Sequence, residues 1–238
     1  MDNGDLNQLA SWIKESKYTV VLTGAGMSTE SGIPDFRSSK GWWRNIDPRE
    51  VASKFALDNQ YELFRDFYIM RINGLKNCKP NKGHIILAHW EKRGLVDSIA
   101  TQNVDRFHQE AGSDNVYELH GNIRTIRCEE CAAGAELEEF VGKKPCRKCG
   151  GRLRPNVVLF GESLPHDAFN NTIKAISKAD LVIVIGTSLQ VYPVNQLPEL
   201  CKGKKVYINM DVDSKHNQFD LIIKGSSGEI LSSVNMLL

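Results

Sequence analysis

Residues 18–37 read Tyr-Thr-Val-Val-Leu-Thr-Gly-Ala-Gly-Met-Ser-Thr-Glu-Ser-Gly-Ile-Pro-Asp-Phe-Arg. A short β-branched run that ends in Gly-x-Gly is how a first strand delivers its backbone onto a dinucleotide pyrophosphate. Gly24 and Gly26 lack a Cβ, so the chain can turn tightly and its N–H groups are expected to approach phosphate oxygens. A dehydrogenase fingerprint places a third glycine three residues after the second, to pack helix on sheet. Thr29 stands there instead, and the loop continues into Gly32-Ile33-Pro34-Asp35-Phe36-Arg37.

Outward from this loop, apolar runs alternate with amphipathic ones. Strands are expected at Val96 to Thr101, Val116 to Leu119, Asn156 to Phe160, Leu181 to Ile185, Lys205 to Ile208 and Leu221 to Ile223. The first helix is placed at Asp5 to Ser16, with Leu6, Leu9, Trp12 and Ile13 on one face, and another at Gly83 to Arg93, stopped by Gly94. Residues 40–80 carry no strand pattern. Their aromatic stretches, Pro48 to Phe55 and Tyr61 to Leu75, suit helices closed by the breaker Lys79-Pro80-Asn81. Alternating strands and helices imply a parallel sheet covered on both faces, with Asn156 to Phe160 returning to it.

With 30 basic and 29 acidic residues, bulk charge draws the chain toward neither nucleic acid nor a membrane surface. Its first residues are polar and acidic, unlike a signal or transit peptide, and no apolar run approaches membrane-spanning length. A cytoplasmic location is expected. The oligomeric state stays open, a monomer being compatible with the sequence.

Of six cysteines, four form Cys128-x-x-Cys131 and Cys146-x-x-Cys149, separated by fourteen residues. Two such knuckles present four thiolates to one tetrahedral ion, so one structural Zn2+ is expected, closed to water. Reduced structural cysteines or redox pairs are the competing reading. Glu129, Glu130, Glu136, Glu138 and Glu139 around the knuckles argue against a nucleic-acid-binding ribbon. Cys78 and Cys201 read as ordinary thiols.

His120 closes a strand and precedes a glycine, where a neutral imidazole can take a proton near neutral pH. His84, His89, His108, His166 and His216 are assigned structural places. Gly186-Thr187-Ser188 closes another strand with N–H and hydroxyl groups suited to phosphate or ribose.

The Gly24 to Arg37 loop, Thr101-Gln102-Asn103-Val104-Asp105 through Gly112, and Glu118-Leu119-His120-Gly121-Asn122 together resemble the sirtuins, NAD-dependent protein lysine deacylases of bacterial type. The resemblance runs in motif order from about Thr19 to Gly228. It implies a Rossmann-like parallel-sheet domain (residues 1–38, 84–123 and 155–238) with an inserted small domain. The latter combines a helical module, 39–83, with the zinc ribbon, 124–154. It implies that NAD is consumed: the acyl-lysine oxygen attacks C1′ of the nicotinamide ribose, nicotinamide leaves, and O-acyl-ADP-ribose is released.

On the same resemblance, His120 is the general base and Asn103 orients a water or ribose hydroxyl. Ile33 and Asp105 line the nicotinamide pocket, Phe36 shields the ribose, and Arg37 secures phosphates. Gly24, Ala25, Gly26, Thr29, Asp35, Gln102, Val104, Gly186, Thr187, Ser188 and Asn209 complete the NAD contacts. Val158, Phe160, Gly161, Val191 and Tyr192 match segments that clamp the acyl-lysine protein or peptide as an added strand; Val157 and Leu159 read as core.

Tyr68 and Arg71 resemble the Tyr-x-x-Arg of sirtuins that remove succinyl or malonyl groups, with Ala52 leaving room for a longer acyl chain. At i and i+3 the pair shares a helix face and could grip a distal carboxylate. Packing plus a solvated charge is the competing reading, so deacetylation and acidic deacylation stand side by side. An ADP-ribosyltransferase of the same fold is the main alternative. An NAD-dependent oxidoreductase lacks its third glycine and second-strand acid, and a silent zinc-ribbon scaffold stands last.

Overall fold

Leu181–Ile185 is five consecutive Leu, Val and Ile residues, and every one of them is buried. A strand buried on both faces belongs at the centre of a parallel sheet, and the computed structural model places it there. The model describes residues 3–33, 48–212 and 217–238, with Pro48 and Arg49 given by backbone alone.

In chain order the elements are α1 (Asn3–Glu15), β1 (Thr19–Thr23), α2 (Pro48–Val51), α3 (Lys54–Asn59), α4 (Tyr61–Leu75), α5 (Lys82–Lys92), β2 (Ser98–Thr101), α6 (Phe107–Glu110) and β3 (Val116–Glu118). There follow β4 (Gly121–Cys128), β5 (Gly134–Ala135), α7 (Leu137–Val141), β6 (Leu153–Val157), α8 (His166–Lys178), β7 (Leu181–Ile185), β8 (Lys204–Asn209), β9 (Leu221–Lys224) and α9 (Ser227–Asn235).

The main sheet has the order β3-β2-β1-β7-β8-β9, and its neighbours run parallel. Side chains alternate between its faces. Val21, Ile183, Ile185, Val206 and Ile208 face a core with Leu9, Ile13, Leu87, Trp90, Leu231 and Val234 of α1, α5 and α9. Val20, Leu22, Val182, Val184 and Tyr207 face the other way, onto Ala175 and Ile176 of α8. Strand order reverses between β1 and β7. Open α/β sheets bind ligands at this switch point, beyond the strands' carboxyl ends.

The α5 helix is fixed at its start by sequence. Asn81 accepts from the Gly83 N–H at 2.9 Å and the His84 N–H at 3.3 Å, while His84 Nδ1 accepts from the Asn81 N–H. At its end Gly94 takes φ +70°, the left-handed turn a glycine supplies after a helix.

A second sheet, β5-β4-β6, is antiparallel and carries the cysteines. Its core joins Ile123, Ile126, Leu153 and Val157 to Ala56 and Leu57 of α3 and Phe64, Phe67 and Tyr68 of α4. Helices and ribbon thus share one apolar cluster, against which Ile33 and Val104 also pack.

Two expectations are corrected. Asn156 to Phe160 does not return to the main sheet: β6 pairs with β4, Val157 against Gly121. Pro48 to Phe55 is not one helix. The chain breaks at Ala52 and Ser53, where the Ser53 hydroxyl caps α3 by accepting from the Ala56 N–H at 3.1 Å.

Candidate active site

The loops after β1 and β7 cross backbone to backbone at the switch point. The Gly24 N–H donates to the Ile185 carbonyl at 3.0 Å, and the Gly26 N–H to the Gly186 carbonyl at 2.7 Å. A Cβ on Gly26 would lie 2.8 Å from Gly186 Cα, and one on Gly186 2.5 Å from the Met27 nitrogen. This corrects the expectation that both glycine N–H groups point at phosphate: they hold the partner loop, and the missing Cβ atoms permit the crossing. Thr29 caps the turn, its hydroxyl donating to the Gly26 carbonyl at 3.0 Å.

Ser28, two residues past Gly26, is fully buried and stands at the centre of a polar network. Its hydroxyl donates to Asp105 Oδ2 at 2.7 Å and accepts from Asn103 Nδ2 at 3.0 Å. Asp105 Oδ1 takes the Phe107 N–H at 2.9 Å. Burial raises the Asp105 carboxyl pKa, outweighing these hydrogen bonds and the arginines Arg124 and Arg71.

Behind this layer, Thr23 Oγ1 donates to Thr101 Oγ1 at 2.8 Å, and Thr101 Oγ1 accepts from the Asn103 N–H at 3.0 Å. His108 Nε2 lies 3.0 Å from Thr23 Oγ1, which as a donor to Thr101 is left to accept. His84 and His108 rings sit 4.8 Å apart. Burial lowers the His84 pKa to about 4 and that of His108 well below the ordinary value, so both rings are neutral.

His120 follows β3. Its Nδ1 lies 3.1 Å from the Gln102 carbonyl, which can only accept, so the proton is on Nδ1 and Nε2 carries a lone pair. Burial lowers its pKa, against the pull of that carbonyl. A neutral imidazole with one nitrogen anchored and the other free is the arrangement a general base requires.

On the β7 side, Gln102 Nε2 donates to Thr187 Oγ1 at 2.9 Å and the Tyr207 hydroxyl to the Thr187 carbonyl at 2.7 Å. Asn209 Nδ2 donates to the Tyr207 hydroxyl at 2.7 Å. Gly186, Thr187, Ser188 and Asn209 therefore share one edge with Gly24, Ala25, Gly26, Gln102, Asn103, Val104, Asp105 and His120. Asp35, Phe36 and Arg37, like Pro34 and His216, lie outside the described residues.

In the small unit that the second sheet forms with α3 and α4 around their shared apolar cluster, Tyr68 is buried and hydrogen-bonded to Arg71, and burial pushes its phenol up to about 12. Desolvation lowers the Arg71 pKa, against the attraction of Tyr68 and of Asp105. The pair is thus brought together on the side of the small unit that faces the Asp105 loop. Ala52 is buried, and its carbonyl accepts from the Phe160 N–H at 2.9 Å. Past the end of β6, Val158 is half-buried and Phe160 is 45% exposed, whereas Val157 and Leu159 are core. Cavities of about 470 and 660 Å3 lie against Val158 and Phe160 respectively. Val191 and Tyr192 are exposed on the loop after β7.

Cys128, Cys131, Cys146 and Cys149 bring their sulfurs within 4.8 Å of one another. Cys128 and Cys149 sulfurs lie 3.4 Å apart, and those of Cys131 and Cys146 3.7 Å. Zinc with four sulfurs at about 2.3 Å needs sulfur–sulfur edges of about 3.8 Å. The donor set fits, and the N–H groups of Lys148 and Gly151 point at Cys146 and Cys149 sulfurs at 3.4 Å.

Ser28, Thr23, Thr101, His84 and His108 are absent from the sequence-based site. Ser28 carried a signal, a small hydroxyl just after Gly-x-Gly. The histidines carried none, because their role depends on contacts between α5, α6 and β1.

A profile of the Sir2 family matches residues 24–193. The chain is 49% identical over 235 residues to the NAD-dependent protein deacetylase 1 of Geobacillus kaustophilus, covering 95% of this chain and 96% of that one. A solved complex of a Sir2 homolog with NAD superimposes with a TM-score of 0.90 at 39% identity, covering 97% and 93% of the two chains. A solved Sir2 bound to acetylated peptide gives 0.88 at 35% identity, covering 97% of each.

Proposed function

The chain belongs to the Sir2 family and is an NAD-dependent protein deacylase; we propose that His120 is its general base and that the carboxyl edge of the main sheet holds NAD as a consumed co-substrate. The observation that carries this is the Nδ1–H of His120 held by the Gln102 carbonyl, which leaves Nε2 to accept a proton. The acyl-lysine oxygen attacks C1′ of the nicotinamide ribose and nicotinamide departs. His120 Nε2 then takes the proton of a ribose hydroxyl, which closes onto the acyl carbon. Ser28 holds both Asn103, which would orient a water or ribose hydroxyl, and Asp105, which would line the nicotinamide pocket. An amide oxygen is a weak nucleophile, so this fixed placement supplies much of the acceleration. Gly24, Ala25, Gly26, Thr29, Ile33, Gln102, Val104, Gly186, Thr187, Ser188 and Asn209 would surround NAD, with Asp35, Phe36 and Arg37 as further contacts.

The acylated peptide would lie as a strand between Val158, Phe160 and Gly161 on one side and Val191 and Tyr192 on the other. The four cysteines would hold a structural zinc. Four thiols this close favour a reducing compartment, which supports a cytoplasmic location, and the acidic residues around the ribbon speak against nucleic acid. Among the described residues, no helix is long and apolar enough to cross a membrane. The domain division proposed is 1–38, 84–123 and 155–238 for NAD, with 39–83 and 124–154 as the small unit, β4 and β6 bridging the boundaries.

For the acyl group, the contact between Tyr68 and Arg71 supports removal of succinyl or malonyl as well as acetyl groups. One peptide in acetylated and succinylated form, incubated with NAD, tests both levels. Nicotinamide and O-acyl-ADP-ribose should appear without an NADH signal, and His120→Ala should lower turnover by roughly 10²–10⁴-fold. Arg71→Ala should depress kcat/KM for the succinyl peptide more than for the acetyl one. An NADH signal sinks the deacylase assignment, and a fully active His120→Ala sinks the general-base role; equal losses on both peptides sink the acidic-acyl reading.

A further inference from the structure

Arg154, on β6, is 0% exposed, and nothing in the chemistry above uses it. Its guanidinium reaches in two directions. Toward the peptide segment, Nη1 donates to Glu162 Oε1 at 2.5 Å, Nη2 to Glu162 Oε2 at 2.9 Å, and Nη2 also to the Val157 carbonyl at 2.7 Å. Toward the cysteines, Nη1 donates to Glu129 Oε2 at 3.0 Å. Glu129 directly follows Cys128, and its N–H donates to the Arg152 carbonyl at 2.9 Å. Its other oxygen accepts from Lys54 Nζ at 2.7 Å.

Glu162 passes the constraint on. Its Oε2 accepts from the Leu159 N–H at 2.8 Å. On either side of Leu159, the Val158 N–H donates to the His120 carbonyl at 2.9 Å, and Phe160 exchanges backbone hydrogen bonds with Ala52 and Lys54. A buried guanidinium gives a fold little net stability compared with an apolar side chain of similar volume. What it does supply is direction, because a planar fork grips a carboxylate at two points in one orientation.

We propose that Arg154 is a positioning residue for the acyl-peptide strand, transmitting the geometry of the four-cysteine knuckle through Glu129 and Glu162 to residues 158–160. The inference rests on the reading of Val158, Phe160 and Gly161 as the peptide-binding strand. It assigns to the ribbon a share in substrate affinity, carried by one side chain that touches neither metal nor substrate.

Steady-state kinetics with an acetylated peptide and NAD, on zinc-loaded wild type and the variants Glu162→Gln, Arg154→Lys and Arg154→Met, test it. Peptide KM should rise by about tenfold in Glu162→Gln and Arg154→Met, and by less in Arg154→Lys, which keeps the charge without the fork. The KM for NAD and the zinc content should hold. Glu162→Gln, which preserves volume and an acceptor for Leu159, carries the test if Arg154→Met folds poorly. Unchanged peptide KM in folded Glu162→Gln and Arg154→Lys overturns the proposal, as does a parallel rise in both KM values. A wild type that leaves the peptide acylated would instead sink the deacylase assignment on which it rests, and the proposal with it.

Discussion

At Ile183, in the middle of the main sheet, the chain buries an aliphatic side chain among Val21, Val206 and the flanking helices. At Arg154, in the ribbon sheet, it buries a charge between two carboxylates. The first region has strands apolar on both faces, and its stability scales with the area removed from water, about 25 cal/mol per Å2. The second has three antiparallel strands, a buried arginine and four thiols. Its geometry depends on directional partners, a metal and ion pairs, each of which loses its worth when one member is removed. The proposed NAD edge stands on the first kind of structure and the proposed peptide segment on the second. Chemistry and substrate grip should therefore fail under different insults.

The sharpest way to break this contrast is to remove the metal. Zinc bound by four thiolates is worth about 10–16 kcal/mol in small metal-dependent folds. Chelation, or Cys146→Ser, should abolish deacylation and release hydrogen-exchange protection in β4 and β6, while the amides of β1, β7 and β8 stay protected. Uniform loss of protection would show the two regions to be one cooperative unit.

Acid should act the other way round, on the main-sheet side. His84 and His108 are held neutral by burial, with His84 at about 4. Their folded pKa values lie below the unfolded value, so the unfolded chain binds more protons as pH falls below 6.5. Stability is full above that pH and drops by about 1.4 kcal/mol per pH unit for each histidine, the His84 share levelling off near pH 4. Urea melts at pH 7.5, 6 and 5 would show it, and His84→Gln should flatten the slope. A slope unaffected by that change would assign the acid sensitivity elsewhere.

The smallest effect expected is at the seam of helices and ribbon, where the Tyr61 hydroxyl donates to the Leu153 carbonyl at 2.7 Å. Tyr61→Phe should cost about 0.5–1.5 kcal/mol, read as a lower midpoint for the small unit in a thermal melt with NAD turnover per folded molecule unchanged. A larger loss would mean that this bond organises the seam and does more than close it.

Where a feature was local, it could be read from residues alone. Leu181 to Ile185 is a strand in both accounts because five buried aliphatics need no partner to be named. The cysteine spacing led to a tetrahedral sulfur set because the knuckles are fixed within a few residues. Asn156 to Phe160 was misassigned because an apolar run states that it will be buried, not against which sheet; its register against Gly121 depends on the fold of the ribbon. The glycine loop was half legible. The close approach followed from the absent Cβ atoms, but the use of the Gly24 and Gly26 N–H groups depended on a loop some 160 residues away. Arg154 has no local mark of this kind, since it takes its meaning from partners distant in the chain.

The crossing of Gly26 and Gly186 constrains how the chain could have changed. Each glycine's missing Cβ is the space the other loop occupies, and Gly186 also takes φ +63°. A side chain at either position would push the opposing backbone away, and no single replacement at the other could restore the fit, because glycine is already the smallest residue. The two loops therefore sit at a dead end in sequence space. Drift can alter the residues around the pair, but at these two positions a one-step path leads only downhill in fitness.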